Sequence, residues 1–171
     1  MPGFVNVEQA DFPHVHHKTS IDRLPMFADG TVDLIYCSHA FEYFDRQEGA
    51  RALREWQRVL KTGATLRLAV PDFEALVKVY ELYGDLGKLL GPLFGRMEVF
   101  TPESKVIYHK TVYDFRSLQV MLEAEGFINV RRYDWRETIH RDYDDHSQAY
   151  VPHMDKENGM LTSLNVEADK A

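Results

Sequence analysis

Three consecutive stretches decide the fold: Thr31-Val32-Asp33-Leu34-Ile35-Tyr36-Cys37, then Asp45 to Leu60, then Ala64 to Val70. The first is a β-branched and apolar run of the kind that forms a buried strand. In the second, Asp45 is placed to cap a helix. Glu48 stands three residues later, where a capping box needs it. Ala52, Leu53, Trp56, Val59 and Leu60 then fall on one face at helical spacing. Gly63 reads as the helix stop. Ala64 to Val70 is a second apolar strand, closed by Pro71-Asp72. A strand, a helix and another strand in that order predict an α/β sheet with crossover helices.

The flanking sequence extends this pattern. Phe4 to Val7 is a short β-like run ending at Glu8, and Val15-His16-His17 is another short strand candidate. Ile21 to Gly30 contains Pro25 and the turn Asp29-Gly30, so it reads as a loop. Phe73 to Tyr83 reads as a helix. Gly84 to Tyr108 is irregular and rich in Gly and Pro, the pattern of an insertion or lid with short helices. Asp114 is placed to cap a helix carrying Phe115, Leu118, Met121 and Leu122, stopped at Gly126-Phe127. Asn129 to Trp135 reads as a strand, His140 to Asn158 as a polar loop, and Met160 to Val166 as the last strand. The expectation is a single domain over residues 1–171 with 84–108 as its insertion. Sheets of this kind bind ligands outside the carboxyl ends of their strands. Here those ends are Glu8, Ser38-His39 and Pro71-Asp72.

Composition narrows the function. Hydrophobic residues make up 44% and charged residues 27% of 171 residues, an ordinary globular balance. Twenty Lys and Arg against twenty-seven Asp and Glu give −7, with no basic surplus to hold a phosphate backbone. The expectation is therefore no nucleic-acid partner. The lone Cys37 excludes an internal disulfide framework and a cysteine-rich zinc module. No apolar run approaches the roughly 20 residues of a membrane span. Met1-Pro2-Gly3-Phe4 lacks the basic and apolar regions of a signal peptide. These features lead to the expectation of a cytoplasmic protein without a membrane partner.

Several motifs, in order, carry a resemblance. They are Leu24-Pro25-Met26-Phe27, Ser38-His39-Ala40-Phe41-Glu42-Tyr43-Phe44, Leu53-Arg54-Glu55-Trp56-Gln57-Arg58-Val59-Leu60-Lys61-Thr62-Gly63 and Leu66-Arg67-Leu68-Ala69-Val70-Pro71-Asp72. With the Gly126-Phe127 step and the ending Ser163 to Ala168, they resemble the class I S-adenosylmethionine-dependent methyltransferases of the methyltransferase domain 11 type, over roughly Gly3 to Lys170. The resemblance implies a Rossmann-like sheet with flanking helices, S-adenosylmethionine as cofactor, and methyl transfer to a small molecule or glycan. The family's first strand and glycine-rich loop would lie just before Pro2-Gly3 and are not in this sequence. Their absence leaves two neighbouring strands each with an open side, or makes them pair with each other. A homodimer covering the exposed sheet edge is a further possibility. Tyr43 in place of a family His, and Thr62-Gly63 in place of Pro-Gly, are milder departures.

The resemblance also assigns roles. It puts Glu8 at the cofactor ribose, and a carboxylate at a strand tip accepts from two vicinal hydroxyls. It puts Ser20-Ile21-Asp22 against the adenine, with Ser20 standing where an acidic residue is usual and Asp22 as a substitute. The alternative there is a plain turn before Leu24-Pro25. Ser38 and His39 fall near the sulfonium and the acceptor. An imidazole there can act as general base. Methyl transfer from a sulfonium needs mostly alignment, so His39 can equally serve by packing and orienting. Glu42 and Tyr43 either line the acceptor pocket or start the next helix. Alternation puts His14 and His16 on one face of a strand, but His14, His16 and His17, with His109, His140, His146, His153 and Asp142, Asp144 and Asp145, match no zinc signature, and no metal site is assigned. Three readings stay open: a methyltransferase, a non-catalytic module of the same fold that pairs across an exposed edge, and a metal-dependent hydrolase.

Overall fold

A computed structural model describes residues 3–99 and 105–171. Its main sheet contains β3 (Val32–Ser38), β4 (Leu60–Pro71), β10 (Ser163–Lys170) and β7 (Phe127–Arg132), in the order β3-β4-β10-β7. β3 and β4 run parallel, while β10 is antiparallel to both its neighbours. Two short strands, β1 (Val7–Glu8) and β2 (His17–Lys18), form a separate parallel pair. Among the described residues β3 is an edge strand and β1-β2 does not pair with it, which leaves the open side foreseen for the sheet.

The crossover between β3 and β4 is α1 (Arg46–Val59). Asp45 and Glu48 make the reciprocal capping box. The apolar face of α1 buries Ala52, Leu53, Trp56 and Val59 completely or nearly so. These pack with Leu66, Leu68, Val70, Leu164 and Val166 from the sheet. The polar flank of α1 then fastens the loop before β3. Trp56 Nε1 donates to the Ile21 carbonyl at 2.7 Å, and Glu55 Oε1 accepts from the Leu24 N–H at 2.7 Å. Arg58 donates to the carbonyls of Leu24 and Phe27. The Leu-Pro-Met-Phe motif is therefore a loop whose two end residues, Leu24 and Phe27, are tied by their backbone to side chains of one helix.

Further along, α2 (Phe73–Tyr83) is capped by Asp72, and α4 (Phe115–Ala124) by Asp114 and Ser117. The segment expected to be an insertion holds α3 (Gly87–Phe94) and the antiparallel pair β5 (Met97–Val99) and β6 (Lys105–Ile107), while residues 100–104 lie outside the described residues. Another small pair is β8 (Tyr150–Val151) with β9 (Met160–Leu161).

Four expectations change. Helix α1 ends at Val59, and Leu60 to Gly63 already belong to β4, so Gly63 is a strand residue and not a helix stop. Met160 to Val166 is not one strand. Thr162 breaks it by giving both its N–H and its hydroxyl to the Ala149 carbonyl, and β10 then continues to Lys170. The strand expected to reach Trp135 stops at Arg132, and Trp135 opens a 3-10 turn capped by Asp134. His14 and His16 do not share a strand face: His16 Nδ1 accepts from the Asn6 N–H, and His14 stacks on Phe12.

Candidate active site at the strand tips

The gap between β1 and β3 is a trench. A cavity of about 610 Å³ is lined on one side by Gly3, Phe4, Val5, Val7 and Glu8 and on the other by Thr31 to Ser38, with Ile21, Trp56 and Val59 also in its wall. The seven residues of β3 extend about 23 Å at ~3.3 Å per residue. The trench follows that length, and its carboxyl end is the tip shared by Glu8, Cys37 and Ser38.

Glu8 closes β1 at this tip. Its Oε1 accepts from the N–H groups of Gln9, at 2.7 Å, and Ala10, at 3.4 Å. These bonds fix the side chain on its own backbone. Ile21 and Ser38 share the cavity wall with it, whereas Ser20, Asp22 and His39 do not. Ser20 Oγ donates to Asp22 Oδ1, so this pair closes on itself. Cys37 is buried, and burial pushes its thiol well above the ordinary range.

The loop around residues 140–149 folds over the end of β3. Asp145 Oδ2 accepts from Tyr36 Oη at 2.6 Å, and Asp145 Oδ1 accepts from Ser38 Oγ at 3.2 Å and from the Ser147 N–H at 2.8 Å. His140 is fully buried and stacks on Tyr36 with ring centroids 3.8 Å apart. Neither of its ring nitrogens has a partner among the described residues.

His39 follows β3 with φ of +47°, a left-handed conformation rarely held by a residue with a side chain. Its Nε2 lies 3.0 Å from Ser163 Oγ, and its ring is 5.4 Å from that of His146. Burial, reinforced by His146 and His109, lowers its pKa to about 3. Glu42, in the 3-10 turn Phe41–Tyr43, is fully buried, and burial pushes its carboxyl up to about 8. Its Oε1 is 3.4 Å from His39 Nδ1 and 3.6 Å from His109 Nε2.

Of the residues singled out from sequence, Glu8, Ile21 and Ser38 line the trench. His39 lies beside them on the Ser163 side, and Ser20 and Asp22 are set back in the loop. Sequence reading weighed Asp145, His140 and His109 only as metal ligands and did not place them here, since they arrive from distant segments. Glu42 carried one usable signal, its spacing of three from His39.

These residues fit the nucleoside half of S-adenosylmethionine. An anchored carboxylate with one oxygen left over faces a cavity within the size range of small-ligand sites. Among the described residues no glycine-rich turn borders the cavity to cradle a methionine moiety. The described residues hold no group of three His, Cys, Asp or Glu side chains placed to bind a metal, and no helix is long and apolar enough to cross a membrane.

Comparison with known proteins bears on the fold. Residues 2–68 match the family model described as a methyltransferase domain. No curated protein matches the chain. Among solved structures, a SAM-dependent methyltransferase from Methanosarcina mazei superposes with a TM-score of 0.51 at 20% identity, covering 89% of this chain and 65% of that one. One from Thermotoga maritima, described as a possible histamine N-methyltransferase, gives 0.51 at 18%, covering 90% and 62%. A SAM-dependent methyltransferase from Archaeoglobus fulgidus gives 0.51 at 16%, covering 91% and 67%. The chain therefore spans somewhat less than two thirds of the first two of these structures. By its sheet, its crossover helices and its matched N-terminal segment, the chain has the fold of the class I S-adenosylmethionine-dependent methyltransferases.

Proposed function

We propose that this chain binds S-adenosylmethionine at the carboxyl end of the trench and takes part in methyl transfer to a small molecule or glycan. The observation that carries the reading is Glu8, fixed by two backbone N–H groups at a strand tip and opening on a cavity shared with Ile21 and Ser38. Its second oxygen is the acceptor for ribose hydroxyls, and Ile21 offers an apolar wall for the adenine. Ser20 and Asp22, joined to each other, brace that wall.

The bound cofactor would supply a methyl group on a positively charged sulfur, already activated for transfer. What the chain contributes is alignment and exclusion of water, worth several kcal/mol when reacting atoms are well oriented. Ser38 and His39 stand where the acceptor would lie. With its basicity suppressed by burial and its Nε2 engaged by Ser163, His39 serves by position and not as a general base. Calorimetry with S-adenosylhomocysteine tests the reading. Glu8→Ala is expected to weaken binding at least tenfold and leave the melting temperature nearly unchanged. Equal affinity in the variant removes Glu8 from the site.

A second reading rests on a different observation. The outer edge of β3 is unpaired among the described residues, and exposed edges are templates for another strand. A non-catalytic module pairing with a second copy along this edge is the alternative. Light scattering separates the two: a monomer that binds cofactor supports the first, and a dimer indifferent to cofactor supports the second.

A further inference from the structure

In the buried cluster of His39, Glu42 and His109 the hydrogen bonds select one tautomer for each imidazole. The Ser147 carbonyl can only accept, so Asn165 turns its amide N–H toward it, at 2.9 Å. Asn165 Oδ1 therefore faces Ser163 and takes that residue's single hydroxyl proton, at 2.9 Å. Ser163 Oγ is left as an acceptor toward His39, so His39 carries its proton on Nε2. Burial keeps both imidazoles neutral, so its Nδ1 is a bare lone pair, and it lies 3.4 Å from Glu42 Oε1. On the other side the Pro92 carbonyl accepts from His109 Nδ1 at 2.9 Å, which leaves His109 Nε2 bare, also pointing at Glu42.

Glu42 thus meets two acceptors and no donor. Both its oxygens are buried without a hydrogen-bond partner. An ionised carboxylate in this position would be desolvated and face two lone pairs. The other groups around it bring no positive charge. Cys37, Tyr43 and Tyr113 are neutral, with Tyr43 Oη turned to the Gly95 carbonyl. His146 faces His39 and not Glu42. Lys110 gives the Glu42 carbonyl its backbone N–H, while its ammonium is held by Glu48. The separations of 3.4 and 3.6 Å let one proton on Glu42 serve either imidazole after a small rotation of the carboxyl group.

We infer that Glu42 is a neutral carboxylic acid whose proton is held between His39 and His109, and that it reinforces from the Nδ1 side the Nε2–H form of His39 that Ser163 selects. Glu42 ties the end of β3 to the segment after β6, through His109, and so fixes the imidazole on the acceptor side of the cleft. Only that last consequence rests on the methyltransferase reading; the protonation state does not.

The test uses the intact chain without cofactor. Infrared difference spectra of wild type against Glu42→Gln should show a protonated-acid carbonyl band at neutral pH that the variant lacks. Nitrogen-15 spectra of the wild type alone should show His39 protonated on Nε2 and His109 on Nδ1. Glu42→Gln should keep both tautomers, because its amide N–H offers a donor in place of the acid proton. The sign of the pH effect follows from the raised pKa. The folded chain holds a proton that the unfolded chain releases above its ordinary value of 4.5, so stability falls as pH rises toward about 8. Glu42→Gln should flatten that fall in melting temperature. Carboxylate bands for Glu42 at neutral pH, an imidazolium at His39 or His109, or a stoichiometric metal ion lost on Glu42→Gln would each overturn the inference. A protonated Glu42 in a chain that binds no cofactor keeps the inference and removes the methyltransferase reading.

Discussion

Trp56 joins the core to the wall of the cavity, and its truncation should report on both. The indole is 2% exposed, packs 5.5 Å from Phe41 and donates to the Ile21 carbonyl. Trp56→Ala removes the ring and the donor together. Deleting a buried Trp costs about 3–5 kcal/mol through lost transfer and a residual cavity. For a chain of this length each kcal/mol moves the midpoint by about 2–4 °C, so the melting temperature should fall by about 6–20 °C. Trp56→Phe separates the two effects. It keeps most of the ring and strips the donor, leaving the Ile21 carbonyl short of a partner at about 1–3 kcal/mol. Urea unfolding and calorimetry on both variants give the comparison. Because Ile21 lines the cavity, Trp56→Phe should also weaken binding of S-adenosylhomocysteine. Equal losses for Phe and Ala would show that the hydrogen bond and not the packing dominates. No loss for Ala would refute the placement of this helix face in the core.

Two further substitutions probe the frame of the site. Asp114→Ala removes the cap that accepts from the Ser117 N–H at 2.7 Å and should lower stability by about 0.5–2 kcal/mol, read by urea unfolding, with Asp114→Asn retaining most of it. Gly95→Ala places a Cβ 1.9 Å from His109 Nε2 on a backbone with φ of +41°. It should cost at least about 1 kcal/mol from the left-handed backbone alone and shift the His109 ring resonances. An unshifted His109 in that variant would show that the ring does not sit against Gly95.

Much of the frame was legible because it is written in local chemistry. Asp45 with Glu48, and Asp114 before its apolar stripe, declare helix starts through neighbours three residues away. The β3 and β4 runs declare themselves by apolar content. The end of β10 did not, because Glu167 and Asp169 look like solvent-facing charges. Their partners Arg67 and Arg131 lie on adjacent strands and become visible only once the strands are paired. The break at Thr162 depends on the Ala149 carbonyl, supplied by another segment. The same physics limited the site. Glu8 was readable as a strand tip, but the meeting of Glu42 with His109 joins segments far apart in sequence, and the bonds to Ser38 need Asp145 from the polar loop. Single-sequence periodicity carries none of these long-range meetings.

The central claim is that a nucleoside binds where the tips of β1 and β3 face each other. Titration of S-adenosylhomocysteine into the nitrogen-15-labelled chain, followed by backbone amide shifts, tests it most directly. The account predicts saturable shifts concentrated at Glu8 to Ala10, Ile21 and Ser38, with Glu8→Ala weakening them. Saturation with shifts confined to the outer face of α2 or α4, or no shift at the highest soluble ligand concentration, would contradict it.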